Sequence, residues 1–203
     1  INGVIVTTHN EFQKDENTKI DLNIIDNKIF QIMSDKNLLN SKNKIFVDKS
    51  FENFFYIDII LKIFPNAKFI NTFRNIKDNV FAIFQQSLAE LSWAQSIEDI
   101  LKYIDNYLKI MKFYNKKYPE KIFPLNLGEL TSKPEETSKK IYNFCNLKWN
   151  YKALNFYNRK DLLISTASNI QIRKKIENYD YDKYRPYKHL LENFYDKYDW
   201  LNQ

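Results

Sequence analysis

Glycine is nearly missing from this chain: among 203 residues only Gly3 and Gly128 occur. Loops that wrap phosphate groups in backbone amides need closely spaced glycines, because a Cβ would block the approach. Neither the P-loop signature nor the dinucleotide fingerprint can be written here. Cysteine is just as scarce. The single Cys145 excludes an internal disulfide framework. Together with His9 and His189 it offers no ligand spacing of zinc type, so no metal is expected. No apolar run reaches the ~18 residues of a membrane span, and nothing near the start has signal-peptide character. A cytoplasmic location is therefore expected. An opening methionine is missing too, since the chain begins with Ile1. The simplest expectation is a fragment of a longer enzyme.

What the chain does contain is apolar and aromatic. Hydrophobic residues make up 44% and aromatics 16%, which excludes disorder and predicts a packed globule. The net charge of +6 has two readings. One is an anionic partner, such as a nucleotide, a nucleic acid or an acidic substrate; the other is a composition simply rich in Lys, Asn and Ile. No internal repeat or low-complexity linker interrupts the chain, so residues 1–203 read as a single domain.

The apolar pattern alternates strands with helices. Lys44–Asp48 reads as a buried strand, followed by a helix over Phe51–Phe64 with Ser50 as its cap and Pro65 as its stop. Ala67–Phe73 is a second strand, running straight into Arg74 and a helix from about Lys77 to Leu91. Ser96 and Asp99 resemble a capping box for a long amphipathic helix, ended at Tyr118-Pro119. Lys121–Leu127 is a third strand, with Pro124 pointing to an edge or a bulge. Ser132 and Glu135 cap a further helix through about Phe144, and a last helix falls near Pro186–Tyr195. This alternation predicts an α/β fold of three layers, a parallel sheet flanked by helices. Ligands in such sheets sit beyond the C-terminal strand ends, hence after Asp48, Phe73 and Leu127.

Each of those places carries candidate residues. Lys49 stands at a strand end facing a helix start, where it can meet an anion or simply remain solvated. Arg74 lies between a strand and a helix N-terminus, where its planar fork suits two phosphate oxygens; the competing reading is a surface pair with Asp78. A third group follows Leu163. Ser165, Thr166 and Ser168 precede Arg173, Lys174 and Lys175, which can be a phosphate loop or a generic basic loop.

The run Ile45–Phe84 strongly resembles the sulfotransferase family often fused to tetratricopeptide repeats in bacteria, a group similar to tyrosylprotein sulfotransferases. Asp48-Lys49, Asn53-Phe54, Tyr56-Ile57, Phe64-Pro65-Asn66-Ala67-Lys68, Arg74 and Asp78 fall in register with its blocks. So do Lys133-Pro134-Glu135, the stretch Phe144–Trp149, the loop Thr166–Arg173 and the closing Tyr184-Arg185-Pro186-Tyr187. The resemblance covers roughly Asn2 to Leu191, and the shared order of the blocks makes it specific. It implies a fold like that of P-loop NTPases and 3′-phosphoadenosine-5′-phosphosulfate as co-substrate, with no metal. Arg74 would bind the donor's 3′-phosphate, with Ser168, Arg173 and Lys174 over the same nucleotide. Lys49 would stabilise the leaving phosphate, and Glu11, with His9 behind it, would be the base for a hydroxyl or amine acceptor. The acceptor would be a small molecule, carbohydrate or peptide; no nucleic acid is expected.

Several positions depart from the family pattern. Its phosphosulfate loop should lie upstream of Glu11, before Ile1, so this fragment alone is expected to be inactive. Phe51 replaces a proline, Ala82 stands where a serine joins the 3′-phosphate site, and Leu127-Gly128 replace the usual Tyr-Glu pair. The alternative is a non-catalytic basic module of the same fold that binds nucleotide or nucleic acid, with tyrosines between Tyr179 and Tyr187 available for stacking.

Overall fold

A computed structural model describes residues 47–159 and 173–202, with isolated positions at 27, 28, 31, 34, 35 and 45. The chain divides into two units, Ile1–Ala67 and Lys68–Gln203.

In the first unit a 3₁₀ turn over Asn53–Tyr56 leads into helix α1, Ile57–Ile63. Phe54, Ile57 and Ile60 are buried at three-residue spacing, so one face of this segment carries the contact. Pro65 ends the helix by disfavouring the helical conformation at Phe64. The helix starts later than Phe51, and Ser50 does not cap it. Its hydroxyl donates instead to Asp48, which also accepts from Asn53 Nδ2 at 2.8 Å. That side-chain cluster turns the chain over residues 48–53 and competes with helical capping. The strand expected at Lys44–Asp48 is not formed at residues 45, 47 and 48; Lys44 and Phe46 lie outside the described residues. Val47 is 82% exposed, so the apolar run there does not mark a covered strand.

The second unit is built on a parallel pair. Strand β1, Phe69–Phe73, pairs with β2, Ile122–Asn126, in a register running from Phe69 opposite Ile122 to Phe73 opposite Asn126. Among the described residues the sheet has these two strands, and Pro124 pairs with Asn71 where β2 has no further neighbour to need its N–H. Two helices connect the strands. The first, α2, spans Ile76–Gln86, and Asn75 Oδ1 accepts from the amides of Lys77 and Asp78 at its start. It stops at Ser87, which takes a left-handed conformation (φ 46°), short of the Leu91 expected.

The second, α3, spans Ile97–Lys117 and follows the expected pattern closely. Ser96 Oγ accepts from the Asp99 amide at 3.1 Å and donates to Asp99 Oδ2 at 2.8 Å. Glu98 and Asp99 in the first turn and Lys116 and Lys117 in the last complement the helix dipole. Ile100, Leu101, Ile104 and Met111 form its buried face. Ser96→Ala should destabilise the protein by about 1 kcal/mol, the usual cost of a lost N-cap, as read from urea unfolding.

After β2 the chain enters a short helix that the sequence pattern does not reveal, α4, Leu127–Ser132, capped by Asn126. Helix α5, Pro134–Phe144, follows. Ser132 does not cap α5: it closes α4, donating to the Gly128 carbonyl at 2.8 Å. Proline in the first turn needs no acceptor for an N–H, which leaves α5 without a side-chain cap. The last expected helix is present as a 3₁₀ segment, Arg185–Phe194, with another at Asp199–Asn202.

The core of this unit joins the crossover helices to the C-terminal segments. Val80 and Phe81 of α2 and Ile100, Leu101 and Ile104 of α3 pack with Tyr184, Leu191, Tyr198 and Leu201. The result is a mixed helix–strand unit with a small parallel sheet. Among the described residues no helix is long and apolar enough to cross a membrane.

Candidate nucleotide-binding site

β1 delivers Arg74 one residue past its C-terminal end, directly before the capped N-terminus of α2. Because β2 runs parallel and in register, the start of α4 opens at the same end of the sheet. Arg74 is half-buried, and among the described residues no salt bridge joins it to a surface carboxylate. Its Nε donates to Asn79 Oδ1 at 2.6 Å, and the guanidinium centre lies 5.9 Å from the centroid of the Tyr179 ring. The Nε edge of the fork is thus held by Asn79, and its centre lies over the Tyr179 ring.

Asp78 behaves quite differently from the surface partner that one reading anticipated. It is 0% exposed, turned inward from the first turn of α2. Its Oδ2 accepts a short hydrogen bond from the Tyr179 hydroxyl, and Oδ1 has no hydrogen-bond partner. Burial first, and then the Asp78 carboxylate, push the Tyr179 hydroxyl well above the usual tyrosine range, with Arg74 acting weakly in the opposite sense. Tyr179 therefore stays protonated and remains the donor.

The other expected site residues are distributed as follows. Arg173 and Lys174 are exposed at the start of the segment that leads to Tyr179, and Arg173 Nη1 donates to the Arg159 carbonyl. Lys49 belongs to the first unit; it is exposed, with Nζ 5.9 Å from the Phe51 ring centroid. Glu11, His9 and Ser168 lie outside the described residues. Ala82 packs against the hydrophobic core of the second unit, on the helix that follows Arg74. Among the described residues no cluster of three or more His, Cys, Asp or Glu side chains could hold a metal ion.

Comparison with known proteins places this geometry in context. The profile of the sulfotransferase family matches residues 4–151, which include both strands and both crossover helices. The chain belongs to the sulfotransferase family. Sulfuryl transfer is the general chemistry of that family. An uncharacterized protein of Aquifex aeolicus (strain VF5) is 34% identical over 157 residues, which is 75% of this chain and 20% of that protein. The chain thus spans about a fifth of the curated relative it matches. Within the sulfotransferase match fall Glu11, Lys49 and Arg74, whereas Ser168, Arg173 and Lys174 lie beyond it.

Two residues at Arg74 escape a reading of the sequence. Asn79 lies one turn along α2, a spacing that brings a short polar side chain back toward the helix start. Tyr179 lies 101 positions from Asp78, and only the fold brings them together. Of the tyrosines available in principle for stacking on bases, Tyr184 is buried and stacks on Phe81 at 6.0 Å between centroids.

Proposed function

We propose that this sulfotransferase-family chain moves a sulfuryl group from 3′-phosphoadenosine-5′-phosphosulfate to a hydroxyl or amine acceptor. In this reading it is of the bacterial repeat-associated type, similar to tyrosylprotein sulfotransferases, and contributes to a three-layer fold like that of P-loop NTPases. The observation that carries the proposal is Arg74. A half-buried guanidinium between a parallel strand end and a capped helix N-terminus is suited to a phosphate monoester dianion. With Nε committed to Asn79, the terminal nitrogens are the fork that meets the 3′-phosphate.

Each remaining residue then has a role in the transfer. Glu11 takes the proton from the acceptor hydroxyl as the acceptor oxygen bonds to sulfur. The bond between sulfur and the 5′-phosphate oxygen breaks, and Lys49 meets the charge left on that phosphate. Ser168, Arg173 and Lys174 hold the nucleotide. Ala82 offers no hydroxyl to the 3′-phosphate, which costs about 0.5–1.5 kcal/mol of binding relative to a serine there.

Calorimetry on the chain with adenosine 3′,5′-bisphosphate and adenosine 5′-monophosphate tests the reading. The bisphosphate should bind clearly more tightly. Equal affinities would overturn it.

A further inference from the structure

Beyond Lys174 the chain returns to the C-terminal end of the parallel pair and touches both halves of it. The Tyr179 amide donates to Thr131 Oγ1 of α4 at 3.1 Å, while its hydroxyl reaches Asp78 on α2 and its ring lies against Arg74. Two residues on, the Tyr181 hydroxyl occupies the space where Gly128 has no side chain: a Cβ there would lie 2.1 Å from it. One short segment therefore spans the exits of β1 and β2.

Asp78 is difficult to explain by packing or stability alone. A fully buried carboxylate with one unpartnered oxygen is costly, and an apolar side chain of similar size would be cheaper in that place. What Asp78 does is anchor the Tyr179 hydroxyl. The ring so anchored lies under the Arg74 guanidinium centre, while Asn79 holds the Nε edge. Cation–π contact and an in-plane hydrogen bond together define the orientation of a guanidinium, leaving one edge for a ligand.

We infer that Tyr179, anchored by Asp78, is a positioning residue that orients the Arg74 fork toward a phosphate monoester. The inference rests on Arg74 being the phosphate-gripping group proposed above. It also gives the segment a second consequence. Lys174 is five residues from Tyr179, at most about 18 Å of extended chain, so the same anchor keeps the Arg173–Lys174 pair within reach of that end of the sheet.

The test compares the parent chain with Tyr179→Phe, which keeps the ring, and Tyr179→Leu, which removes it. Nitrogen-15 relaxation of the Arg74 Nε–H group, assigned by its loss in Arg74→Lys, reads the order of the fork without any nucleotide. Calorimetry with the two adenosine nucleotides reads its use. The parent should show Arg74 Nε nearly as ordered as the helix backbone, the Phe variant less so, and the Leu variant mobile. Affinity for adenosine 3′,5′-bisphosphate should fall about 2- to 5-fold in Tyr179→Leu, the scale of one exposed cation–π contact, with that for the 5′-monophosphate unchanged. Equal order of Arg74 Nε in all three proteins overturns the positioning role, even if the variants melt at lower temperature. A parent that binds both nucleotides equally overturns the phosphate reading of Arg74, while the relaxation data still decide whether Tyr179 orients it.

Discussion

Replacing Arg74 with alanine is expected to remove about 1.5–3 kcal/mol of the preference for adenosine 3′,5′-bisphosphate over adenosine 5′-monophosphate. At about 1.4 kcal/mol per factor of ten, this is a loss of roughly 10- to 150-fold in the affinity ratio. On the proposed reading the effect is large because the fork would face a doubly charged group at a half-buried position, where hydrogen bonds to charge are strongest. The two nucleotides share everything except the 3′-phosphate, so their ratio isolates the contact from general loss of folding. Arg74→Lys should restore only part of the preference, since an ammonium supplies charge without the planar pair of donors. Both measurements belong at one fixed ionic strength, because screening weakens these contacts. An affinity ratio unchanged in Arg74→Ala would remove this residue from the site.

Leu201→Ala should destabilise the protein by about 2–5 kcal/mol, as much as Leu101→Ala near the start of α3. A side chain this near the end of the chain normally matters little, and surface changes at frayed termini stay within about 0.5 kcal/mol. Leu201, however, is 0% exposed and packs in the same cluster as Leu101, Val80 and Leu191. The terminal 3₁₀ segments are thus the cover of the crossover helices. Urea unfolding of both variants checks this, with the shift in midpoint expected at an unchanged slope. A small effect for Leu201 beside a large one for Leu101 would mean that the terminal segment adds little to the core.

How far the sequence is legible varies from element to element. The long helix α3 is readable at both ends because its cap, its apolar stripe and its closing Tyr118-Pro119 are all local signals. Strands β1 and β2 are readable for the same reason, as short apolar runs bounded by turn residues. Ser50 and Ser132 mislead in a common way. Each is a good capping residue by type, but each hydroxyl finds a nearer partner, Asp48 in one case and the Gly128 carbonyl in the other. Helix α4 is missed because its six residues carry no periodicity to detect. The aromatic C-terminal stretch gives equal warrant for a stacking surface and for a core, and burial of Tyr184 and Tyr198 decides for the core at those two positions.

By itself, then, the sequence determined strands β1 and β2 and the helices between them, the family through its ordered blocks, and the placement of Arg74 at a strand–helix junction. These depend on spacing along the chain, where capping, periodicity and chain-stopping prolines act within a few residues. Only the tertiary structure decided what surrounds Arg74. It turned Asp78 inward, set Asn79 against one edge of the fork and brought the Tyr179 ring beside the guanidinium from more than a hundred residues away. No local signal encodes such a meeting, because it needs the C-terminal segment, with Tyr184, Leu191 and Leu201, to bury itself on helices formed much earlier in the chain.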